Sequence, residues 1–132
     1  MEALPQVRSN VRLHQGWFED TIPAFRAQHP EQVAFLHLDA DLYSSTRTVF
    51  DLLGEAIVTG TVIAFDEFFN YPGWSEGEYK AFMEFCQERG VTVRYLGFAR
   101  RDEQVAVKID GVTSPAVKNE TDQRDGRSRS AA

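Results

Sequence analysis

Residues 33–41 read VAFLHLDAD, and residues 60–67 read GTVIAFDE. Each stretch is a short apolar run that ends in acidic residues, and the only polar side chain within the first run is His37. Between the runs, apolar residues recur at the spacing of one helix face, at positions 49, 52, 53, 56 and 57. Together they predict a strand, helix, strand unit whose two strands are buried and parallel. Inside an apolar strand, His37 is expected to be a core residue.

Acidic side chains follow both predicted strands. Asp39 and Asp41 come after the first, and Asp66 and Glu67 come after the second. In an open parallel sheet, ligands bind at the carboxyl ends of the strands, so both clusters should face one crevice. Neighbouring carboxylates repel one another unless a proton or a cation neutralises them, and a hard cation with oxygen ligands is a common solution. The pattern predicts a metal-assisted site, although Asp41 is also placed to stabilise the start of the next helix.

Helices are predicted before, between and after the two strands. A strand at residues 11–14 precedes a helix that opens near Thr21 and ends before Pro30. Ser44 or Ser45 is expected to cap the central helix.

The second half of the chain adds one more helix and a hairpin. Ser75 and Glu78 have the spacing of a capping box for a helix that Gly90 ends. Two β runs, residues 91–98 and 104–109, flank a polar turn and suit an antiparallel hairpin at the sheet edge. The predicted order is β-α-β-α-β-α-β-β.

Length and composition limit the classes of protein that fit. A chain of 132 residues, 42% of them hydrophobic, can bury one modest core. The single cysteine excludes an internal disulfide framework, and no apolar run is long enough to cross a membrane. A net charge of −6 argues against nucleic acid or an anionic membrane as partner. The default expectation is a cytoplasmic protein, with a partly formed domain at residues 1–112 and a polar, disordered tail at 113–132.

Three segments resemble one family of enzymes: GWFEDTIP at residues 16–23, LDADLYSST at 38–46, and GTVIAFDE at 60–67. Their order and spacing are similar to the C-terminal part of class I S-adenosylmethionine-dependent methyltransferases, and most similar to the macrocin O-methyltransferase family. The resemblance implies a partial Rossmann-like α/β sheet that ends in an antiparallel β-hairpin. It also implies methyl transfer from S-adenosylmethionine to a hydroxyl of a small molecule such as a sugar.

The same resemblance implies roles for particular residues. Asp39, Asp66 and Glu67 would hold Mg²⁺, although the family usually has Asp or Asn where this chain has Glu67. The loop of Gly16, Trp17, Phe18 and Glu19 would flank the adenine of S-adenosylmethionine. Without the resemblance, Trp17 and Phe18 would be read as packing aromatics. In the family the general base typically comes from regions that have no match in this chain, so no residue is named for that role.

The part of this fold that normally begins the cofactor site has no counterpart in the sequence. A first strand with a Gly-rich turn, and a second strand that ends in an acidic residue, find no match upstream of Gly16. The chain is therefore expected to be the C-terminal portion of a larger, truncated methyltransferase.

Two interpretations from other classes stay open. Residues 39–41 also resemble the acidic triplet of nucleotide-sugar glycosyltransferases and the nucleophile motif of haloacid-dehalogenase-type phosphatases. The other alternative is a non-catalytic methyltransferase remnant, whose unpaired sheet edge would favour association into a homo-oligomer.

Overall fold

The computed structural model describes residues 3–113, which form a mixed α/β unit. Its regular elements, in chain order, are α1 (Phe18–Gln28), β1 (Phe35–Leu38), α2 (Tyr43–Leu53), β2 (Val62–Phe65), α3 (Glu78–Arg89), β3 (Val91–Phe98) and β4 (Val105–Val112). None of these helices has the length and apolar character needed to cross a bilayer. The predicted strand at residues 11–14 is wrong, because that segment has no regular structure. The predicted tail lies outside the described residues, apart from Thr113.

The four strands form one sheet in the order β1-β2-β4-β3. β1 and β2 are parallel, with Phe35 opposite Val62 and Leu38 opposite Phe65. β4 runs antiparallel to both β2 and β3, which confirms the predicted closing hairpin. The parallel pair brings the carboxyl ends of β1 and β2 to the same edge of the sheet, as the sequence predicts.

The core lies between one face of the sheet and the helices α2 and α3. Ile63 of β2 and Val107 of β4 are opposite each other in the register, and both are fully buried. Phe82 of α3 is also fully buried and packs on the ring of Phe65, with 4.9 Å between centroids, and on that of Phe50 at 5.8 Å. This aromatic cluster fixes α2 and α3 against the two central strands.

β1 is less buried than its sequence predicts. Leu38 is its only buried residue, Phe35 is 62% exposed and His37 is exposed. The cause is position, since β1 is an edge strand with one neighbour within the described sheet. The prediction of His37 as a core residue is therefore wrong.

Both predicted helix caps at the starts of α2 and α3 are wrong as well. α2 begins at Tyr43 after Leu42, with no side-chain cap, so neither serine nor Asp41 has that role. α3 begins at Glu78 after Gly77, so Glu78 is the first residue of the helix and is not the N3 member of a capping box. The predicted end at Gly90 is confirmed, and its φ of 60° is the left-handed conformation that glycine adopts without strain.

Truncation of Phe82 tests this packing. Phe82→Ala should lower the free energy of unfolding by about 3–5 kcal/mol, because it leaves a cavity among the buried rings. Phe35→Ala, at an exposed position of β1, should cost less than about 1 kcal/mol. Denaturant unfolding of both variants measures the difference, and equal losses would contradict the proposed core.

Candidate active site

The loops that follow β1 and β2 lie side by side. The Asp66 amide donates to the Leu38 carbonyl at 2.9 Å, so the parallel pairing continues one residue past β2. Asp39 follows Leu38 directly, and therefore the two predicted acidic clusters start next to each other. The sequence prediction that they share one edge of the sheet is consistent with this geometry.

The acidic side chains around this edge influence one another. Burial raises the pKa of Glu67 above its usual range, and the negative charges of Asp41, Glu103, Asp66 and Asp39 raise it further. Glu103 is a member of the cluster that the sequence did not reveal, because it comes from the β3–β4 turn, far along the chain. The site is thus a concentration of negative charge that involves three connections of the fold.

A buried carboxylate joins the two loops. Glu78 has no exposed surface, and its Oε2 accepts a hydrogen bond from the Glu67 amide at 3.0 Å. Its Oε1 accepts a longer bond from the Ala40 amide at 3.4 Å. Burial raises the pKa of Glu78, and the two hydrogen bonds partly oppose that effect. The capping-box spacing predicts that Glu78 pairs with Ser75, whereas its hydrogen-bond partners are the Ala40 and Glu67 amides.

The loop after β2 also forms hydrogen bonds with the turn between β3 and β4 and with a nearby tyrosine. The Phe68 amide donates to the Glu103 carbonyl at 2.9 Å, and the Tyr71 hydroxyl donates to the Glu67 carbonyl at 3.2 Å. Gln104 reaches the Asp66 carboxylate at 3.5 Å. These bonds tie the loop after β2 to the turn that carries Glu103.

The fit to a metal ion was tested on the same carboxylates. Their oxygen chemistry suits Mg²⁺. Among residues 3–113, however, no three His, Cys, Asp or Glu side chains converge closely enough to hold a metal ion. The ligand set of Asp39, Asp66 and Glu67 therefore stays a prediction.

The predicted cofactor loop is exposed, and its last two residues, Phe18 and Glu19, begin α1, three residues before the predicted helix start near Thr21. Gly16 has a φ of 139°, and a Cβ there would lie 3.1 Å from Cγ2 of Thr21, so the turn favours glycine. Trp17 is 79% exposed, and its carbonyl accepts bonds from the Thr21 amide and hydroxyl. Trp17 and Glu19 are thus free to contact a ligand, whereas their cofactor role stays a prediction.

An apolar pocket of about 320 Å³ lies between α1, β1 and α2. Phe18 and Asp39 both line it, so the predicted cofactor loop and the first acidic cluster meet in one cavity. His14 also lines it and packs edge-on against Phe25, with 5.5 Å between ring centroids. Gly16, Trp17 and Glu19 are not among its lining residues. A mostly apolar cleft with a few polar groups is the usual form of a small-molecule site.

Comparison with known families identifies the family of the chain. The family described as macrocin-O-methyltransferase (TylF) matches residues 4–97, which include both acidic clusters and the Gly16 loop. The chain belongs to this family. No match was found among curated protein sequences.

Solved structures of methyltransferases share the fold. CalS11, described as a TDP-rhamnose 3'-O-methyltransferase of calicheamicin biosynthesis, is 26% identical with a TM-score of 0.57, and the match covers 72% of this chain and 39% of that one. A second CalS11 structure is 27% identical, with a TM-score of 0.54 and coverage of 71% and 35%. The O-methyltransferase NovP, at 24% identity, a TM-score of 0.55 and coverage of 72% and 36%, supports the fold alone. The chain thus spans less than two fifths of the length of these solved structures.

The charge coupling across the two loops gives a direct prediction. Asp41→Asn should lower the pKa of Glu67 toward its usual value, because it removes the negative charge with the largest effect after burial. Asp51→Asn, on the exposed side of α2, should leave it unchanged. The measurement is a carbon-13 NMR titration of the Glu67 carboxyl group. An identical titration in both variants would show that the two loops are not electrostatically coupled.

Proposed function

We propose that the chain forms the part of an S-adenosylmethionine-dependent O-methyltransferase that contacts the adenine of the cofactor and the acceptor hydroxyl. The observation that carries the proposal is the meeting of Phe18 and Asp39 in one apolar pocket beside the second acidic loop. Membership of the macrocin O-methyltransferase family supports the chemistry. The proposed acceptor is a hydroxyl of a small molecule, and the CalS11 likeness favours a sugar.

In this proposal the pocket orients the cofactor and excludes water from one side of it. Phe18 and Phe25 supply aromatic surface for the adenine, and the exposed Trp17 and Glu19 contact it from the rim. S-adenosylmethionine carries a positively charged sulfonium, which the negative charge around Asp39, Asp66 and Glu67 attracts. The site therefore has features suited to both ends of the cofactor.

The reaction that follows is an in-line displacement. The acceptor oxygen forms a bond to the methyl carbon, the bond from that carbon to sulfur breaks, and S-adenosylhomocysteine leaves. The hydroxyl proton must pass to a base. The site would also raise the rate of methyl transfer by holding the cofactor and the acceptor in a reactive orientation.

Assistance by Mg²⁺ is a separate part of the proposal. Asp39, Asp66 and Glu67 are its predicted ligands, and no step above depends on the ion, because the described carboxylates do not converge on one point. Asp39→Ala is expected to abolish any Mg²⁺ effect on cofactor binding. An unchanged Mg²⁺ effect in that variant, measured by calorimetry, would reject this ligand assignment.

Cofactor binding tests the proposed function. Isothermal titration of the chain with S-adenosylmethionine should show binding, and Phe18→Ala should weaken it about tenfold, which corresponds to about 1.4 kcal/mol of lost contact. Phe98→Ala is the matched control, because Phe98 is 68% exposed and lies on β3, away from the pocket. Absence of binding to the unmodified chain, or equal effects of the two variants, would contradict the proposal.

A further inference from the structure

We propose that Glu78 is a positioning residue that holds the loops after β1 and β2 at a fixed separation. The proposal rests on the proposed function only for the use of these loops in methyl transfer. The contacts themselves do not depend on the proposed function. The Glu78 carboxylate accepts hydrogen bonds from the backbone amides of Ala40 and Glu67, which are 27 residues apart in sequence. Because Glu78 opens α3, it also fixes both loops relative to that helix.

The chemistry of the contact requires a carboxylate. An ionised Glu offers acceptor lone pairs on both oxygens, and each oxygen of Glu78 faces an amide donor. A glutamine of the same shape has one acceptor oxygen, and its NH₂ group would face the other amide as a second donor. The replacement of Glu78 by Gln therefore breaks one bond and creates a donor–donor contact, with little change in volume.

Burial of Glu78 has a cost that its hydrogen bonds only partly offset. Desolvation raises its pKa, and the negative charges of Glu67 and Asp66 raise it further. The N-terminus of α3 is positively polarised and stabilises the carboxylate. A hydrophobic residue of similar size would fill the same space without this cost. Unlike a hydrophobic residue, the Glu78 carboxylate hydrogen-bonds to both loops at the same time.

The loop after β1 needs such a contact. Asp41 has a φ of 59°, a conformation that is uncommon for a residue other than glycine, and the Leu42 amide donates to the Ala40 carbonyl across it at 2.6 Å. Strained conformations persist when surrounding contacts impose them. The bond from the Ala40 amide to Glu78 anchors this turn to α3, so its loss should let Asp39 and Asp41 move away from Asp66 and Glu67.

Amide hydrogen exchange tests the contact without any assumption about function. In the unmodified chain, NMR should show the Ala40 and Glu67 amides protected from exchange. In Glu78→Gln at least one of the two should exchange about tenfold faster, while amides in the middle of α3 keep their rates. Glu88→Gln is the matched control, because Glu88 lies on the same helix and pairs with Arg47 within α2, and it contacts neither loop. Exchange of either amide in the unmodified chain at the rate of an exposed loop would overturn the proposal, whether or not any variant folds.

Cofactor affinity then tests the positioning role. Glu78→Gln should weaken S-adenosylmethionine binding about tenfold. Glu78→Asp should recover part of the loss because it keeps two acceptor oxygens, and Glu88→Gln should have no effect. Faster exchange in Glu78→Gln with unchanged affinity would show that Glu78 serves stability alone, which overturns the role. If the unmodified chain does not bind the cofactor, the proposed function fails, while the exchange rates still decide whether Glu78 holds the loops.

Discussion

The site depends on one buried contact, the carboxylate of Glu78 between two backbone amides. Parallel pairing of β1 and β2 brings the loops after these strands together, but the strands are only four residues long and end at Leu38 and Phe65. Beyond these ends, Glu78 is the described side chain that hydrogen-bonds to both loops. Through it, the orientation of the acidic clusters is linked to the packing of α3 on the aromatic core.

The close placement of acidic side chains lowers the folding stability of the chain and at the same time defines the site. Glu67 and Glu78 both have raised pKa values in the folded chain, so folding holds their protons more tightly than the unfolded chain does. Their contribution to stability is complete below the usual pKa of glutamate and is lost as the pH rises through the raised values. The negative charges that raise these pKa values are therefore a cost to the folded chain. The proposed attraction of a positively charged sulfonium is a reason for such a cost.

The sequence predicts the main elements because apolar residues recur within them at a clear spacing, or because a residue such as glycine marks where they end. The apolar face of α2, the stop at Gly90 and the polar turn before β4 are all local signals, and each predicts its element. Burial depends on what lies beside a strand, so the apolar sequence of β1 did not reveal that Phe35 and His37 are exposed. Helix caps were wrong for a related reason, since serine near a helix start is only one way to satisfy its amides.

The carboxylates of the site were partly predictable. Asp39, Asp66 and Glu67 follow apolar runs, and that pattern places them at the carboxyl ends of strands. Glu103 approaches them from a distant turn, and no local pattern in the sequence reports such a contact. The sequence singles out Glu78 as a member of a capping box, which is the wrong role. An acidic residue near a helix start suits both a capping box and a contact that joins two loops, so the spacing alone does not separate the two roles.

The hydrogen bond from the Glu67 amide to Glu78 can be observed directly. NMR scalar coupling across a hydrogen bond, between the Glu67 amide nitrogen and the Glu78 carboxyl carbon, reports the contact on the unmodified chain. We expect a measurable coupling, together with a Glu78 carboxyl group whose pKa lies above the usual range for glutamate. No coupling and an ordinary titration would show that Glu78 is solvated, and would contradict the claim that it joins the two loops.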